Sequence, residues 1–229
     1  MGDFYLCFSV EEKEKPQKAT SGEIVGYDFG LSTILTATDN RDIHSPEYLQ
    51  KDLVGLKKLS RLFSKKRKGS NNWKKARKNL ARLHIAIANR RKDRFFKLAH
   101  TLSSRYKLMS FEDLDMKKMA KLWGRKVLDH AFSEFLSILK HVSKGYDTVL
   151  HFCDRYFPSS KTCCLCDWYN KDLQLKDLVW TCQGCKTKLD RNRSACFNIL
   201  RAGASAHGLG DIRPHPEAVS VGIQESHLL

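Results

Sequence analysis

The sequence has no long apolar segment. No hydrophobic run approaches the roughly 20 residues that a membrane-spanning helix requires. The first residues, MGDFYLCFSVEEKEK, also lack the basic flank followed by an apolar core that marks a secretory signal. We therefore expect a cytoplasmic protein that has no membrane partner.

Acidic residues are scarce relative to basic ones. The 229 residues include 41 lysines and arginines against 25 aspartates and glutamates, which gives a formal net charge of +16. Such an excess attracts a polyanion, and nucleic acid is the commonest choice. A hydrophobic content of 41% is enough for a sizeable core and excludes disorder throughout the chain. These values predict a folded protein with nucleic acid as its partner.

The shortage of acidic residues is greatest within a segment of helical periodicity between Leu53 and Lys107. Apolar residues recur there at spacings of three and four, and the break KKRKGSNN divides the segment into two helices. Between Lys57 and Lys97 there are 17 lysines or arginines and one acidic residue, Asp93. So many like charges favour a track for phosphates over a merely solvated helix pair. The predicted nucleic-acid contacts are Lys65, Lys66, Arg67, Lys68, Lys74, Lys75, Arg77, Arg90, Arg91 and Lys92.

A disulfide framework is also absent, although the chain has eight cysteines. Four of them form two Cys-x-x-Cys motifs, Cys163/Cys166 and Cys182/Cys185, with 15 residues between the motifs. Four thiolates at this spacing can surround one tetrahedral zinc ion. Cys164 lies inside the first motif and could compete as a ligand, but it lacks the two-residue gap. The cysteines outside the motifs show no pairing pattern, which suits a reducing compartment.

The rest of the chain alternates between strand and helix patterns. Strands are predicted at Phe4–Val10, Ile24–Phe29, Ser32–Thr38, Tyr106–Phe111 and Thr148–Phe152, and a further helix at Trp123–Lys144. Strands that are separated by crossover helices pair in parallel, so we expect an α/β fold with a mixed sheet and helices on its faces. After Arg201 the periodicity ends, which predicts a loose tail.

Two carboxylates close predicted strands. Asp28 ends the strand in GYDFG, and Glu112 follows the strand YKLMSF. Each alone is typical of an ordinary surface carboxylate. Three carboxylates at neighbouring strand or helix ends could together hold two magnesium ions about 4 Å apart on a phosphodiester. The spacing leaves Asp154, Asp190 and Asp115 open as the third.

Six blocks of the sequence carry a family resemblance. In order they are YDFGLSTILTATDN, RKGSNNWKKARKNLARLHIAIANRRKD, LMSFEDLDM, DRYFPSSKTCCLC, CQGC and LDRNRSACFNIL. Together they resemble the blocks of the OrfB/TnpB proteins of insertion sequences, which are relatives of the type V CRISPR effector nucleases. The resemblance covers about residues 4–202.

This resemblance implies an RNase H-like (RuvC-like) fold with an inserted basic helical hairpin and an inserted four-cysteine zinc ribbon. The implied parts are a first RuvC-like part at 1–157 with the hairpin at about 50–106, the ribbon at 158–189, a last helix at 190–202 and a flexible tail at 203–229. The implied chemistry is magnesium-dependent cleavage of DNA under a transposon-encoded guide RNA, with structural zinc in the ribbon.

The resemblance also assigns roles to the carboxylates. It makes Asp28 and Glu112 catalytic residues and magnesium ligands. In the family the last of these six blocks typically reads Asp-Arg-Asp-x-Asn-Ala-Ala, and Asn192 stands here where the second aspartate is expected as the third ligand. A neutral amide oxygen is a poorer magnesium ligand than a carboxylate. Asp190 is retained, but two residues along a helix rotate a side chain by about 200°, so it could replace Asn192 only from the loop before the helix.

Three functional hypotheses follow. Family members have an upstream half that helps to bind guide RNA and target, and the resemblance implies that this chain lacks it. The first hypothesis is a transposon-associated DNA endonuclease domain. The others are a nucleic-acid-binding module without nuclease activity and a decayed insertion-sequence remnant.

Overall fold

The computed structural model describes residues 6–9, 21–30, 33–44, 48–115 and 131–220. Its strands are β1 (Glu23–Phe29), β2 (Thr33–Ala37), β3 (Ile43–His44), β4 (Tyr106–Glu112), β5 (Val149–Cys153), β6 (Val179–Thr181) and β7 (Lys188–Asp190). Its helices are α1 (Tyr48–Ser64), α2 (Asn71–Arg105), α3 (Phe132–Ser143), α4 (Arg191–Ala206) and α5 (Pro216–Val219), with a 3-10 turn at Lys144–Tyr146.

Five strands form one mixed sheet in the order β3-β2-β1-β4-β5. The strands β1, β2 and β3 are antiparallel neighbours, whereas β4 is parallel to both β1 and β5. Parallel neighbours need long connections, and here α2 precedes β4 and α3 precedes β5. The predicted mixed α/β sheet is confirmed, and its strand order is that of an RNase H-like fold.

The two faces of the sheet are covered by different helices. Side chains alternate between the faces along a strand. Tyr27 of β1 and Phe111 of β4 lie in a core that α2 and α3 complete. The preceding residues on these strands, Gly26 and Ser110, meet α4 on the other face. The same alternation places Asp28 and Glu112 on the α4 face.

Close packing of α4 depends on small residues along its path. A Cβ atom added to Gly26 would lie 2.2 Å from the carbonyl oxygen of Cys196. A Cβ atom added to Gly203 would lie 1.9 Å from the hydroxyl oxygen of Ser110. The helix therefore lies close against the sheet at both glycines, and α4 runs back along β1 and β4 so that its first turn reaches their carboxyl ends.

The predicted helical hairpin is present as α1 and α2. Ser70 begins α2 as its N-cap, since its hydroxyl oxygen accepts a hydrogen bond from the Trp73 amide at 3.1 Å. The buried residues of α2 are Phe95, Ala99, Leu102 and Ser103, all in its C-terminal third. Within the described ranges, no helix combines the length and the apolar composition that crossing a membrane requires.

Residues 158–190, called the ribbon below, build a second and smaller core. Their strands β6 and β7 pair antiparallel. Trp180 and Leu189 of these strands are buried together with Phe197 and Leu200 of α4. The ribbon therefore shares its core with the helix that covers the sheet.

The loose tail predicted after Arg201 is wrong for residues 202–220. Helix α4 continues to Ala206, and Val219 is buried in the ribbon core. Ser220 also forms a β-bridge with Leu189. This segment is held by isolated apolar residues such as Val219 and not by an apolar face that repeats along the chain. The periodicity of apolar residues in the sequence therefore could not reveal its packing. Residues 221–229 lie outside the described part.

The predicted strand Phe4–Val10 is wrong for residues 6–9, which have no regular structure. Leu6 and Phe8 are each 80% exposed there, so their alternation does not reflect burial against a sheet. The remainder of that strand and residues 123–130 of the predicted third helix lie outside the described residues. The described part of that helix is α3.

We expect Gly26→Ala to lower the free energy of unfolding by about 3 kcal/mol, because the new methyl group would overlap the Cys196 carbonyl of the tightly packed α4. Gly145→Ala is the matched control, since an added Cβ there meets nothing within 4 Å. Its effect should stay within about 0.5 kcal/mol. Denaturant unfolding measures both, and equal stability of the two variants would contradict the close contact.

Candidate active site and metal centre

Asp28 and Glu112 lie side by side at one edge of the sheet. The register that pairs Tyr27 with Phe111 across the parallel strands places the next residue of each strand at the same edge. The rings of Tyr27 and Phe111 stack at 5.2 Å between centroids, and Phe29 meets Phe132 edge-on at 4.5 Å. These contacts on the opposite face fix the strand ends that carry the two carboxylates.

Both carboxylates are held in an environment that disfavours their charge. Asp28 is 8% exposed, and burial, followed by repulsion from Glu112, raises its pKa to about 8. Burial also raises the pKa of Glu112. A cation bound between two desolvated carboxylates would remove their mutual repulsion. The donor set therefore fits one hard divalent cation with oxygen ligands.

The start of α4 brings both Asp190 and Asn192 to the end of the sheet that carries these carboxylates. The Asp190 side chain caps α4 by accepting a hydrogen bond from the Arg193 amide at 2.7 Å. Its charge still acts on Asp28 and raises the pKa of that residue. Asn192 is among the residues that line the space beside Asp28. Its Oδ1 accepts hydrogen bonds from Arg191, from Nη2 at 3.2 Å and from Nε at 3.4 Å.

A cleft of about 470 Å³ lies between this edge of the sheet and the ribbon. Asp28 and Glu112 line one side of it, and Lys161 and three leucines of the ribbon line the other. Leu173 is buried, whereas Leu175 and Leu178 are 75% and 58% exposed. The cleft thus combines acidic, cationic and apolar walls that are open to solvent.

Asp154 and Asp115, the other candidates for the third position, lie outside the lining of this cleft. Asp154 closes a turn after β5, where its Oδ1 accepts a hydrogen bond from the Tyr156 amide at 2.8 Å. Neither Asp154 nor Asp115 is among the described residues that line the cleft. Within the described ranges, the carboxylates that line it are therefore Asp28 and Glu112.

The four predicted cysteine ligands converge on one point. The Sγ atoms of Cys163, Cys166, Cys182 and Cys185 all lie within 4.8 Å of one another. The Sγ distance is 3.7 Å between Cys163 and Cys185 and 3.5 Å between Cys166 and Cys182. Four sulfurs at 2.3 Å from a tetrahedral zinc ion would be about 3.8 Å apart. The cluster therefore fits zinc, and Cys164 is not part of it.

The two Cys-x-x-Cys motifs adopt the same backbone turn. The amide of Asp167 donates to the Cys163 carbonyl at 3.0 Å, and the amide of Lys186 donates to the Cys182 carbonyl at 2.9 Å. Asp167 and Lys186 both have a left-handed backbone, with φ of 61° and 59°. Each turn aims its two sulfurs at the same centre. Equivalent turns on both sides of the cluster are expected for a ribbon built around one ion.

The basic residues of the hairpin divide into two groups. Those predicted to bind nucleic acid near the tip are exposed: Lys65, Lys66, Arg67, Lys68, Lys74, Lys75 and Arg77. Arg90 pairs with Asp52, and Arg91 pairs with Glu134 at 2.9 Å, whereas Lys92 is exposed. The two ion pairs connect α2 to α1 and to α3. Arg90 and Arg91 therefore have acidic partners that the tip residues lack within the described part of the chain.

Aromatic packing supports the hairpin tip. The rings of Phe63 and Trp73 lie 5.3 Å apart between centroids and join the last turn of α1 to the first turn of α2. The guanidinium carbon of Arg77 lies 5.7 Å from the Trp73 ring centroid, within the range of a cation–π contact. The basic tip is thus a packed unit.

Sequence reasoning missed the cationic and apolar walls of the cleft. Lys161, Arg191 and Leu175 come from segments that are far from Asp28 in sequence and have no chemical motif of their own. The only signal for Arg191 was its place between Asp190 and Asn192 in the last of the six family blocks. Tertiary packing of the ribbon was needed to bring Lys161 and Leu175 to the cleft.

Family models match two parts of this chain. One described as "Probable transposase", OrfB_IS605, matches residues 7–122, slightly more than half of the chain. A second, for the Cas12f1-like TNB domain, matches residues 132–199. The first match includes Asp28 and Glu112, and the second includes the four clustered cysteines.

Curated relatives carry similar names. The chain is 35% identical to a Streptomyces pristinaespiralis protein named "Putative RNA-guided DNA endonuclease", over 96% of this chain and 55% of that protein. It is 27% identical to the Escherichia coli (strain K12) protein "Putative RNA-guided DNA endonuclease InsQ", over 92% of this chain and 56% of that protein. The chain therefore spans about half the length of these relatives.

A solved structure has a similar fold. It is a chain of the cryo-EM structure of the Cas12f1-sgRNA-target DNA complex, with a TM-score of 0.55 and 17% sequence identity. The similarity covers 77% of this chain and 49% of that chain. The two proteins therefore share a fold although their sequence identity is low.

We expect Cys182→Ser to abolish binding of one zinc ion per chain, because a hydroxyl is a poor replacement for a thiolate ligand. Loss of the ion should also lower the melting temperature, since the ribbon core is built around the cluster. Cys7→Ser is the control, because Cys7 is exposed and outside the cluster. Zinc is measured by a colorimetric chelator after denaturation, and full zinc content in Cys182→Ser would contradict the assignment.

Proposed function

Because the chain belongs to the OrfB_IS605 family of insertion-sequence proteins, matched over residues 7–122, we propose that it is a metal-dependent DNA endonuclease domain that acts with a guide RNA. The observation that carries this proposal is the pair of carboxylates, the buried Asp28 and the half-buried Glu112, at the carboxyl ends of adjacent parallel strands. They open onto a cleft with cationic side chains, which suits a phosphodiester substrate.

In this proposal the two carboxylates hold magnesium, which activates water and stabilises the negative charge of the phosphate when it is bound. Lys161 and Arg191 contribute positive charge to the same cleft and so attract the DNA backbone. The exposed side chains of Leu175 and Leu178 offer an apolar surface to the bases next to the cleaved bond. Zinc has a structural role in the ribbon wall and takes no part in the chemistry.

The hairpin tip supplies a second surface for nucleic acid. Its exposed lysines and arginines match the charge of a phosphate backbone, and the helices hold them on a packed support. We include a guide RNA because the relatives are named as RNA-guided DNA endonucleases. This chain spans about half the length of those relatives, so binding of RNA by this chain is proposed by analogy with them.

A second candidate function is DNA binding without cleavage. The observation that favours it is Asn192 at the third ligand position, because this residue is neutral and its Oδ1 already accepts hydrogen bonds from Arg191. An enzyme that needs a third carboxylate would be inactive with this residue. The basic hairpin and the ribbon would still bind DNA in that case.

Cleavage distinguishes the two candidates. RNA that copurifies with the chain is sequenced, and a plasmid carrying the complementary target is incubated with the complex and magnesium. We expect cleavage, and we expect Asp28→Asn to slow it by about 100-fold or more, because a metal ligand contributes several kcal/mol to the transition state.

Asp147→Asn is the matched control for this charge change. Asp147 is exposed and lies before β5, at the opposite edge of the sheet from the cleft. Its backbone is left-handed, which asparagine also tolerates. If the wild-type complex leaves the plasmid intact and Asn192→Asp gains no cleavage, the nuclease proposal fails and the binding function remains.

The hairpin tip should determine the salt dependence of DNA binding. We expect replacement of Lys65 and Lys66 by glutamine to reduce the slope of log K against log salt by about 1.8, since each lost phosphate contact removes about 0.9. The same replacement at Lys107 and Lys144, exposed at the amino-terminal edge of the sheet, should leave the slope nearly unchanged. Fluorescence anisotropy with a labelled duplex measures the slopes, and equal slopes in both variants would exclude a tip contact.

A further inference from the structure

We infer that the cleft holds a single divalent cation, between Asp28 and Glu112, and that the guanidinium of Arg191 supplies the positive charge that a second cation would bring. This inference rests on the proposed nuclease function and specifies its metal site. It differs from the expectation of two magnesium ions that three carboxylates would support. Three features favour a single ion: the charges in the cleft, the hydrogen bonds of Asn192 and the fixed position of Arg191.

The side-chain charges in the cleft are neutralised when one divalent metal ion and one phosphodiester are bound. Asp28 and Glu112 line it, and Asp190 is close enough to act on Asp28. Arg191 and Lys161 are the cationic side chains of the same lining. The three carboxylates and the two cationic side chains together leave a net charge of −1. One bound divalent ion and one phosphodiester would bring this net charge to zero. A second divalent ion would leave two uncompensated positive charges in a partly desolvated site, which is costly.

The third ligand position does not fit a second ion. Asn192 has no charge, and a magnesium site without dedicated carboxylates depends on water and substrate oxygens. The two hydrogen bonds that Arg191 donates to Asn192 Oδ1 use the oxygen that would face a metal. An ion at this oxygen would also lie beside the guanidinium and be repelled by it.

Arg191 is held in position by hydrogen bonds to the ribbon. Its Nη1 donates to the carbonyl oxygen of Leu175 in the ribbon, and its backbone amide donates to the carbonyl oxygen of Leu178 at 2.9 Å. The guanidinium is therefore held between the ribbon and Asn192. Movement of Arg191 away from the cleft would break contacts on both sides at once.

The number of bound ions tests this inference directly. The zinc-loaded full chain is titrated with Mn²⁺, and the free Mn²⁺ is measured by its EPR signal. We expect one Mn²⁺ per chain, and we expect Asp28→Asn to weaken its affinity at least tenfold. Asn192→Ala should keep one ion, because Asn192 is not a ligand.

Two further variants test the reason for the single ion. Asn192→Asp adds the missing charge and should raise the count to two. Arg191→Gln removes the neighbouring cation while keeping a donor for the Leu175 carbonyl, and it should tighten the single site several-fold. Zinc content and melting temperature are measured for every variant, and Asn192→Ser replaces any Asn192→Ala preparation that does not fold.

The outcomes separate this inference from the proposed function. Two ions in the wild type, loss of the ion in Asn192→Ala, or a single ion in Asn192→Asp would overturn the inference and leave the nuclease proposal standing. Weaker binding in Arg191→Gln would overturn the role of its guanidinium. No bound ion in the wild type would overturn both the inference and the metal-dependent nuclease.

Discussion

The candidate site depends on the direct contact between α4 and the sheet. Gly26 and Gly203 remove side chains at two points along this contact, where added Cβ atoms would lie 2.2 Å and 1.9 Å from their neighbours. The contact fixes both the distance of α4 from the sheet and the direction of the helix axis. Its first turn consequently reaches the carboxyl ends of β1 and β4, where Asp28 and Glu112 lie. A side chain at Gly26 would lift the helix and separate Asn192 and Arg191 from these carboxylates.

The same burial that positions the carboxylates makes their charges costly. The pKa of Asp28 is raised to about 8, first by desolvation and then by Glu112. Such a pair has little value for stability, because two partly buried like charges oppose folding until a cation joins them. Strain of this kind is common where a site is prepared for a ligand and less common in a merely structural core. It is the physical reason to treat this edge of the sheet as functional, apart from any family resemblance.

Sequence periodicity was sufficient for most of the sheet and for the helical hairpin, because these elements repeat an apolar face against one core. It failed where burial depends on single anchors, as at Val219, and where alternation does not reflect burial, as at Leu6 and Phe8. The four cysteines were predictable because metal geometry dictates their spacing. The choice between Asp190 and Asn192 required coordinates, since it depends on which side chain the N-cap uses. Lys161 and Leu175 could not be assigned to the cleft without the fold of the ribbon.

The ribbon and the cleft form one mechanical unit, although the ribbon reads as a separate insert in the sequence. Asn198 of α4 donates to the carbonyl oxygens of Ser159 and Thr162 at 2.8 and 2.7 Å, which ties the start of the ribbon to the helix. Arg201 of the same helix pairs with Asp167 at 2.5 Å, directly after the first cysteine motif. The other end of the ribbon continues into α4 through Asp190, the N-cap of that helix. The cysteine cluster and the turn that carries Asn192 are therefore joined by contacts at both ends of the ribbon.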